Sequence, residues 1–298
     1  MASAKAWFKA SRLRTLPLAV TSVLMGTAIA VESGAIFNKW VFGFATLTVV
    51  YLQILANYAN DYGDFEKGTD SAANRSDRAI ASGDITPAEM MRAIIATSIK
   101  AFVSGCITLY LASEKVSVAP IILCLLGLVS IAAAMKYTMG SKAFGYRGLG
   151  DLVVLIFFGY VGVLGTAYLQ AQTLELSWLL PATFSGLMSV AVLNLNNMRD
   201  HKKDAEADKN TLVVKIGFAK AKVYHQMMLL AAWGSLLTYL YDWAGFIWYI
   251  LIALIHAGHL NLVRKCEDES TLDPELKKIA LTAFVVALFM MLSAVNGI

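Results

Sequence analysis

The chain has 298 residues, of which 58% are hydrophobic and 15% are charged, and its formal net charge is +4. Soluble domains carry about 25% charged residues, and no soluble fold of this length could bury so much apolar surface. The composition therefore excludes a soluble enzyme and predicts an all-α integral membrane protein, with a single domain over 1–298, in the lipid bilayer. We expect no nucleic-acid partner.

In chain order, the first predicted element is a short helix at residues 3–13. It is basic, carries Trp7 and Phe8, and is expected to lie in the membrane interface. Nine apolar stretches follow, and each has the roughly 20 residues that a helix needs to cross a bilayer. The third of them begins with a capping box formed by Thr86 and Glu89. The nine predicted spans are 15–31, 40–60, 90–112, 118–136, 151–169, 178–197, 223–241, 244–263 and 279–297.

The loops between these spans differ sharply in charge. When the N-terminus is placed in the cytoplasm, the loops on that side carry nearly all of the loop Lys and Arg residues, whereas the outer loops carry only Lys39 and Lys115. The positive-inside rule therefore predicts a cytoplasmic N-terminus and an outside C-terminus. Four helices separate the two long inner loops, 61–86 and 198–222, which predicts a pseudo-repeat of helices 1–4 and 5–8 with helix 9 added.

The first long inner loop begins with an acidic motif at the end of the second span. At 100° per residue, Asn57, Asn60, Asp61 and Asp64 fall on one helix face. Ionised side chains along one stripe at a membrane boundary are costly unless they are paired or bind cations. Carboxylate and amide oxygens are ligands that Mg²⁺ accepts, commonly together with substrate phosphates. The motif therefore predicts a Mg²⁺ site that also binds a phosphorylated substrate.

The second long inner loop begins with a similar motif. Asn197, Asp200, Asp204 and Asp208 are spaced by three, four and four residues, so they share a face if the sixth helix continues that far. One acidic loop is readily explained as a solvated surface. Two such loops, on one side of the membrane and at equivalent positions of a repeat, favour a joint metal site.

Basic residues accompany both motifs. They could bind a diphosphate whose charge the metal leaves partly uncompensated, although the positive-inside rule alone would also place each of them there. These residues are Arg75, Arg78, Lys142, Arg199 and Lys209.

The inner loop after the fourth span carries further candidates. Tyr137 and Tyr146 either line an acceptor site or anchor the chain at the membrane interface. Asp151 either caps the fifth helix or acts on a hydroxyl group of the acceptor. Both alternatives stay open for each residue.

The two motifs, the nine-helix pattern and the cytoplasmic placement resemble the UbiA superfamily of intramembrane aromatic prenyltransferases. The resemblance runs along nearly the whole chain, and it is strongest to the branch that prenylates 1,4-dihydroxy-2-naphthoate in menaquinone synthesis. The segments that carry it are 14–18 (RTLPL), 57–64 (NYANDYGD), 145–151 (GYRGLGD), 193–200 (LNLNNMRD) and 210–217 (NTLVVKIG).

The resemblance implies a reaction and a set of site residues. A polyprenyl diphosphate would donate its prenyl group to 1,4-dihydroxy-2-naphthoate, with loss of CO₂ and diphosphate. Mg²⁺ held by the catalytic carboxylates Asp61, Asp64, Asp200 and Asp204 would stabilise the departing diphosphate. The amides, basic residues and tyrosines named above, with Asp151, are the expected substrate-binding residues. The implied location is a bacterial cytoplasmic (inner) membrane, with the site facing the cytoplasm.

Two other functions remain open. A related enzyme could use 4-hydroxybenzoate or haem as its acceptor. A bicyclic acceptor needs a wider slot than a benzoate, and small residues near the start of the fifth span are expected to provide it: Gly145, Gly148, Gly150 and Gly159. A transporter is the non-enzyme alternative, and it would predict inverted repeats and charges near the membrane midplane.

Overall fold

The computed structural model of the protein describes residues 2–69, 78–113, 118–241 and 246–297. The described residues form helices joined by loops, which confirms the all-α prediction. Arg75, a predicted diphosphate-binding residue, lies outside these ranges. The helices are α1 (Ala4–Ser11), α2 (Leu16–Glu32), α3 (Lys39–Glu66), α4 (Pro87–Ala112), α5 (Ala119–Lys136), α6 (Gly150–Ala171), α7 (Leu179–Glu206), α8 (Leu212–Ile216), α9 (Phe218–Tyr239), α10 (Phe246–Lys265) and α11 (Asp273–Asn296).

Within the described residues, eight stretches are long and apolar enough to cross a membrane. They contain every long helix except α9, which corresponds to the predicted span 223–241. The first turns of α9 carry Lys220, Lys222 and His225, and these polar residues lower its mean hydropathy. An integral membrane fold is therefore supported, while the predicted count of nine crossings stays a prediction.

The long helices pack around two buried cores. The larger core joins α2, α6, α7, α9, α10 and α11, and includes Met25, Phe184 and Trp233. The smaller one joins α1, α3 and α4 and includes Leu55 and Met90. Helix α1 docks on α3, where Ser11 Oγ lies 2.8 Å from Tyr58 Oη. The predicted interfacial helix is thus attached to the same helix that carries the first acidic motif.

Helix α6 is interrupted by a π-helical segment at Leu155–Leu164. Such segments are rare and are often found at functional sites. A Cβ added at Gly159, within this segment, would lie 2.7 Å from the carbonyl oxygen of Ala182 and 3.0 Å from the Cα of Gly186. Gly159 therefore permits close approach of α6 and α7, and the prediction that it widens an acceptor slot is wrong.

Candidate active site

The first acidic motif occupies the last turns of α3. Asn57, Asp61 and Asp64 are buried, and their shared face looks toward the junction of α1 and α2. Asn57 Nδ2 donates to the backbone oxygen of Ser11 at 2.9 Å and to Thr15 Oγ1 at 3.1 Å. The amide of Asn57 therefore links the motif to the N-terminal segment.

Asp61 is surrounded by donors. Its Oδ1 accepts from Arg12 Nη2 at 2.6 Å and from Arg78 Nη1 at 2.8 Å, and its Oδ2 accepts from the backbone N–H of Ala79 at 3.2 Å. With its amide oriented to suit both partners, Asn60 donates to Asp64 Oδ2 at 3.1 Å and accepts from Arg12 Nη1 at 3.3 Å. Two guanidinium groups thus compensate one buried carboxylate.

Arg12 is a site residue that sequence reasoning misses, because the sequence shows it only as one of the many basic residues on the cytoplasmic side. It caps α1 in the left-handed conformation, with φ of 46°. That turn directs its side chain from the surface helix toward Asp61. A non-glycine residue with positive φ is uncommon, and no simple sequence pattern marks it here.

Asp64 connects the first motif to three other parts of the chain. Its Oδ1 accepts from Tyr146 Oη at 2.8 Å, and its Oδ2 lies 3.2 Å from Lys209 Nζ and 3.7 Å from Arg78 Nη2. The ammonium group of Lys67 lies over the Tyr146 ring, 3.8 Å from its centroid. Burial lowers the pKa of Lys67, and the nearby carboxylate of Asp64 opposes that shift. Tyr146 is therefore part of the site rather than an interfacial anchor.

The second acidic motif occupies the last turns of α7, where Asn197, Asp200 and Asp204 are buried. Helix α7 ends at Glu206, and Asp208 has a left-handed backbone conformation with φ of 52°. Asp208 is expected on the shared face only if the helix continues that far; the helix ends before it, so the face ends at Asp204.

Lys209 bridges the two motifs. The turn at Asp208 folds the chain back, so that the backbone N–H of Lys209 donates to the carbonyl of Asp204 at 2.8 Å. Lys209 Nζ lies 3.2 Å from Asp64 Oδ2 and 4.0 Å from Asp204 Oδ1. A positive charge thus stands between the C-terminal ends of α3 and α7, where the helix dipoles add to the negative charge of the carboxylates.

Arg199 contacts the second motif rather than standing free for a substrate. Its Nε and Nη2 donate to the two oxygens of Asp200 at 3.0 and 2.9 Å, and Nη2 also donates to Asn196 Oδ1 at 2.8 Å. Its Nη1 donates to Asp273 at 2.5 Å. The guanidinium group is therefore engaged on both of its edges by protein acceptors.

The structure places the other predicted site residues in different surroundings. Tyr137 lines the cavity described below, and burial raises its hydroxyl pKa. Cβ atoms added at Gly145 and Gly150 would lie 2.7 Å from the Tyr137 carbonyl oxygen and 2.8 Å from its hydroxyl. These glycines therefore make room for Tyr137 and do not open an empty slot. Lys142 is exposed on the loop surface.

Asp151 is buried at the second position of α6, and the N-cap is Leu149. The capping interpretation of Asp151 is therefore wrong. Tyr224 of α9 neighbours its carboxylate, while its Oδ2 has no hydrogen-bond partner among the described residues. Asp151 is not among the residues that line the cavity described below, and its predicted role toward a hydroxyl group of the acceptor stays a prediction.

A cavity of about 400 Å³ opens beneath the two motifs. Its polar end is formed by Asn60, Arg78, Asn197, Asp200 and Lys209, and the remainder is lined mostly by apolar side chains of α2 to α7. In the part of the chain that the structure describes, no three Asp, Glu, His or Cys side chains converge closely enough to hold a metal by themselves. The cavity has the form expected for a ligand with a charged head and a long apolar tail.

The amino-acid sequence is similar to those of known prenyltransferases. The model of the UbiA prenyltransferase family matches residues 19–285. The chain is 36% identical to a 1,4-dihydroxy-2-naphthoate octaprenyltransferase of Haemophilus influenzae, over 98% of this chain and 96% of that protein. It is 44% identical to an enzyme of the same name from Escherichia coli, over 76% of this chain and 74% of that protein.

Solved structures show the same fold at low sequence identity. A UbiA homolog from Aeropyrum pernix K1 superposes with a TM-score of 0.68 at 17% identity, over 92% of this chain and 98% of that one. A UbiA homolog from Archaeoglobus fulgidus bound to GPP and Mg²⁺ gives a TM-score of 0.65 at 12% identity, over 97% of this chain and 99% of that one. The helical bundle seen here is therefore shared with these proteins.

Proposed function

This chain belongs to the UbiA prenyltransferase family, and we propose that it transfers a polyprenyl group from a polyprenyl diphosphate to 1,4-dihydroxy-2-naphthoate in menaquinone synthesis. The observation that carries the choice of acceptor is the 36% identity, over nearly its whole length, to an enzyme named for this acceptor. The geometry supports the donor, because a polar end rich in cations and carboxylates adjoins an apolar cavity.

The residues that would hold Mg²⁺ are Asp61, Asp64, Asp200 and Asp204. They would supply buried oxygen ligands from two helix ends. Because no three of them converge closely enough in the described structure to hold an ion by themselves, the ion would share them with oxygens of the diphosphate. The carboxylates also fit this ion because Lys209 already places a positive charge between Asp64 and Asp204. When bound, Mg²⁺ would neutralise the diphosphate and stabilise the charge that develops as it departs.

The cations of the site bind the same diphosphate from the protein side. Arg78 contacts both Asp61 and Asp64, and Lys209 and Lys67 lie within the same cluster. If the carboxylates turn toward a metal ion, these three cations lose part of their ion pairing with them. Phosphate oxygens then replace the carboxylates as acceptors of charge-assisted hydrogen bonds.

The cavity protects the reacting prenyl group. As the bond between the prenyl carbon and the diphosphate oxygen breaks, positive charge develops on the allylic carbon, and apolar walls keep water from capturing it. The electron-rich naphthalene ring supplies the electron pair for the new carbon–carbon bond. Loss of CO₂ from the attacked carbon returns the electrons of its carboxylate bond to the ring, so no covalent enzyme intermediate is needed.

The finer membrane arrangement is part of the same proposal. Nine crossings, a cytoplasmic N-terminus and parallel repeats would place both motifs on the cytoplasmic side of a bacterial inner membrane. This is supported by the loop charges and by the contact of Lys209 with both motifs, which puts the C-terminal ends of α3 and α7 at the same end of the bundle. Acids at helix ends also argue against a transporter, whose charges are expected near the membrane midplane.

The test is a side-by-side assay of the purified protein with Mg²⁺, a polyprenyl diphosphate and carboxyl-labelled acceptors. With 1,4-dihydroxy-2-naphthoate, the label is expected to leave as CO₂ while a prenylated naphthoquinol forms. Efficient prenylation of 4-hydroxybenzoate with the label retained, and no reaction of the naphthoate, would transfer the protein to another branch of the family.

A further inference from the structure

Asp273 lies outside both acidic motifs, yet it contacts the second one. It is the first residue of α11, far from Arg199 in the sequence. Its Oδ1 accepts from Arg199 Nη1 at 2.5 Å, and its Oδ2 accepts from Arg14 Nη1 at 3.4 Å. The side chain of Asp273 is 47% exposed, whereas that of Arg199 is 19% exposed. The contact therefore connects the start of α11 to Arg199, the cation that binds Asp200.

Arg199, the partner of Asp273, binds the residue next to it on α7. Neighbouring side chains on a helix do not normally face each other, but Arg199 turns back and binds both oxygens of Asp200. A guanidinium group given wholly to Asp200 would neutralise this carboxylate, and a neutralised carboxylate is a poor ligand for a divalent cation. With Asp273 on the opposite edge, two carboxylates share the guanidinium group of Arg199. The second cation near Asp273, Arg14, is half-exposed and lies 3.4 Å away, so water screens its charge and Asp200 keeps more of its own negative charge.

The first turn of α11 is also firmly anchored on its other face. Glu275 is buried, and it accepts hydrogen bonds from Lys278 Nζ at 2.6 Å and from the imidazole of His259. His259 Nε2 in turn lies 2.8 Å from His225 Nε2 on α9. Because this chain of contacts fixes the turn against α9 and α10, Asp273 is held in place although it is half-exposed.

We propose that Asp273 is a positioning residue for the second acidic motif. It orients the guanidinium group of Arg199, which keeps Asp200 aligned. It also shares the positive charge of that group, so that Asp200 stays negative enough to hold Mg²⁺ together with a diphosphate. This inference rests on the proposed function, since it gives Asp200 the role of a metal ligand.

The test compares Asp273→Asn with a matched control, Glu269→Gln. Glu269 precedes α11 by one short turn and pairs with Lys202 of α7 at 2.8 Å, but it does not contact Arg199. Binding of inorganic pyrophosphate to the detergent-solubilised full-length protein is followed by calorimetry as Mg²⁺ is varied. Asp273→Asn is expected to raise the Mg²⁺ concentration for half-maximal binding about three- to fivefold, the size of effect that a half-exposed ion pair supports. Glu269→Gln should leave it unchanged.

Two further variants separate positioning from general damage. Asp273→Glu keeps the charge and should restore most of the Mg²⁺ dependence. In an Arg199→Gln background, Asp273→Asn should have no additional effect, because its partner is already gone. Turnover should show the same shift in Mg²⁺ dependence, while the KM for the naphthoate stays unchanged.

The outcomes are distinguishable. If the unmodified protein binds pyrophosphate only with Mg²⁺ and Asp273→Asn behaves identically, the inference is wrong while the proposed function stands. An equal loss in Asp273→Asn and Asp273→Glu, or an undiminished effect of Asp273→Asn in the Arg199→Gln background, also overturns it. If the unmodified protein binds no pyrophosphate with Mg²⁺, the metal chemistry fails, and the inference fails with it.

Discussion

At the residue scale, the site is a set of buried carboxylates that pair with cations of the same chain. Asp64, for example, lies against Arg78 and Lys209. Removing one partner of a buried ion pair costs about 3–5 kcal/mol, because the other charge is left uncompensated. Substitution by alanine therefore tests folding as much as chemistry, and asparagine, which keeps the shape and an oxygen ligand, is the sharper probe.

We expect Asp64→Asn and Asp200→Asn each to lower turnover by roughly 100-fold or more, since the metal is assigned several kcal/mol of charge stabilisation and each 1.4 kcal/mol corresponds to tenfold. The measurement is turnover at saturating Mg²⁺ in protein that elutes as a single species. Asp84→Asn is the matched control, because Asp84 is exposed and its nearest cation, Lys9, is 3.9 Å away. Full activity of both site variants would rule out the metal–diphosphate mechanism.

Sequence reasoning identified the acids of this site better than their partners. Helical periodicity places Asn57, Asp61 and Asp64 on one face, and the structure brings them together because α3 continues unbroken to Glu66. It could not identify Arg12, whose approach to Asp61 depends on a left-handed turn and on the docking of α1. Periodicity fixes neighbours within a helix, whereas contacts between distant segments depend on packing.

At the element scale, the sequence predicts a helix end correctly where nearby side chains form hydrogen bonds with the free backbone groups of that end. Helix α4 begins as predicted, with Thr86 Oγ1 accepting from the backbone N–H of Glu89 at 3.2 Å and Glu89 Oε2 accepting from the backbone N–H of Thr86 at 3.0 Å. The predicted span 178–197 ends short of the observed α7, which runs to Glu206, and the spacing of Asp208 continues the helical pattern although the helix itself does not. The π-helical segment of α6 has no such local signal, and it lies where α6 packs closely against α7.

The close packing of α6 on α7 leads to a prediction about stability. A Cβ at Gly159 would meet backbone atoms of Ala182 and Gly186, which cannot move aside as a flexible side chain could. Gly159→Ala is therefore expected to destabilise the protein by about 1–3 kcal/mol, as overpacking of a well-filled core does. The melting temperature of the detergent-solubilised protein measures it.

Gly165→Ala is the control for that experiment, because it lies in the same helix and a Cβ there meets nothing within 4 Å. Alanine is favoured over glycine in a helix by about 1 kcal/mol, so this variant should melt at the same temperature or slightly higher. Equal melting temperatures for both variants would show that α6 and α7 are not in close contact at Gly159.

At the scale of the whole molecule, the fold gathers the acidic motifs at one end of the helical bundle. Both acidic motifs lie at the C-terminal ends of long apolar helices and share Lys209, so they stand at one end of the bundle above the cavity. The loop charges predict which side of the membrane that end faces, and the helices alone do not, because they are equally long enough to cross in either direction. Sidedness therefore follows from the charges of the loops and not from the lengths of the helices.

Single cysteines can measure this sidedness directly. In a variant whose three native cysteines are replaced by alanine, Ser82→Cys and Glu206→Cys place exposed thiols beside the two motifs, and Thr173→Cys places one after α6, at a predicted outer loop. Because the basic loops are retained in the cytoplasm, an impermeant thiol reagent should label Thr173→Cys in right-side-out vesicles, and Ser82→Cys and Glu206→Cys only in inside-out vesicles. Opposite labelling of Ser82→Cys and Glu206→Cys would separate the motifs and contradict the shared site. Labelling of both from outside would keep the site intact but reverse the protein in the membrane, so that the naphthoate would have to reach it from the other side.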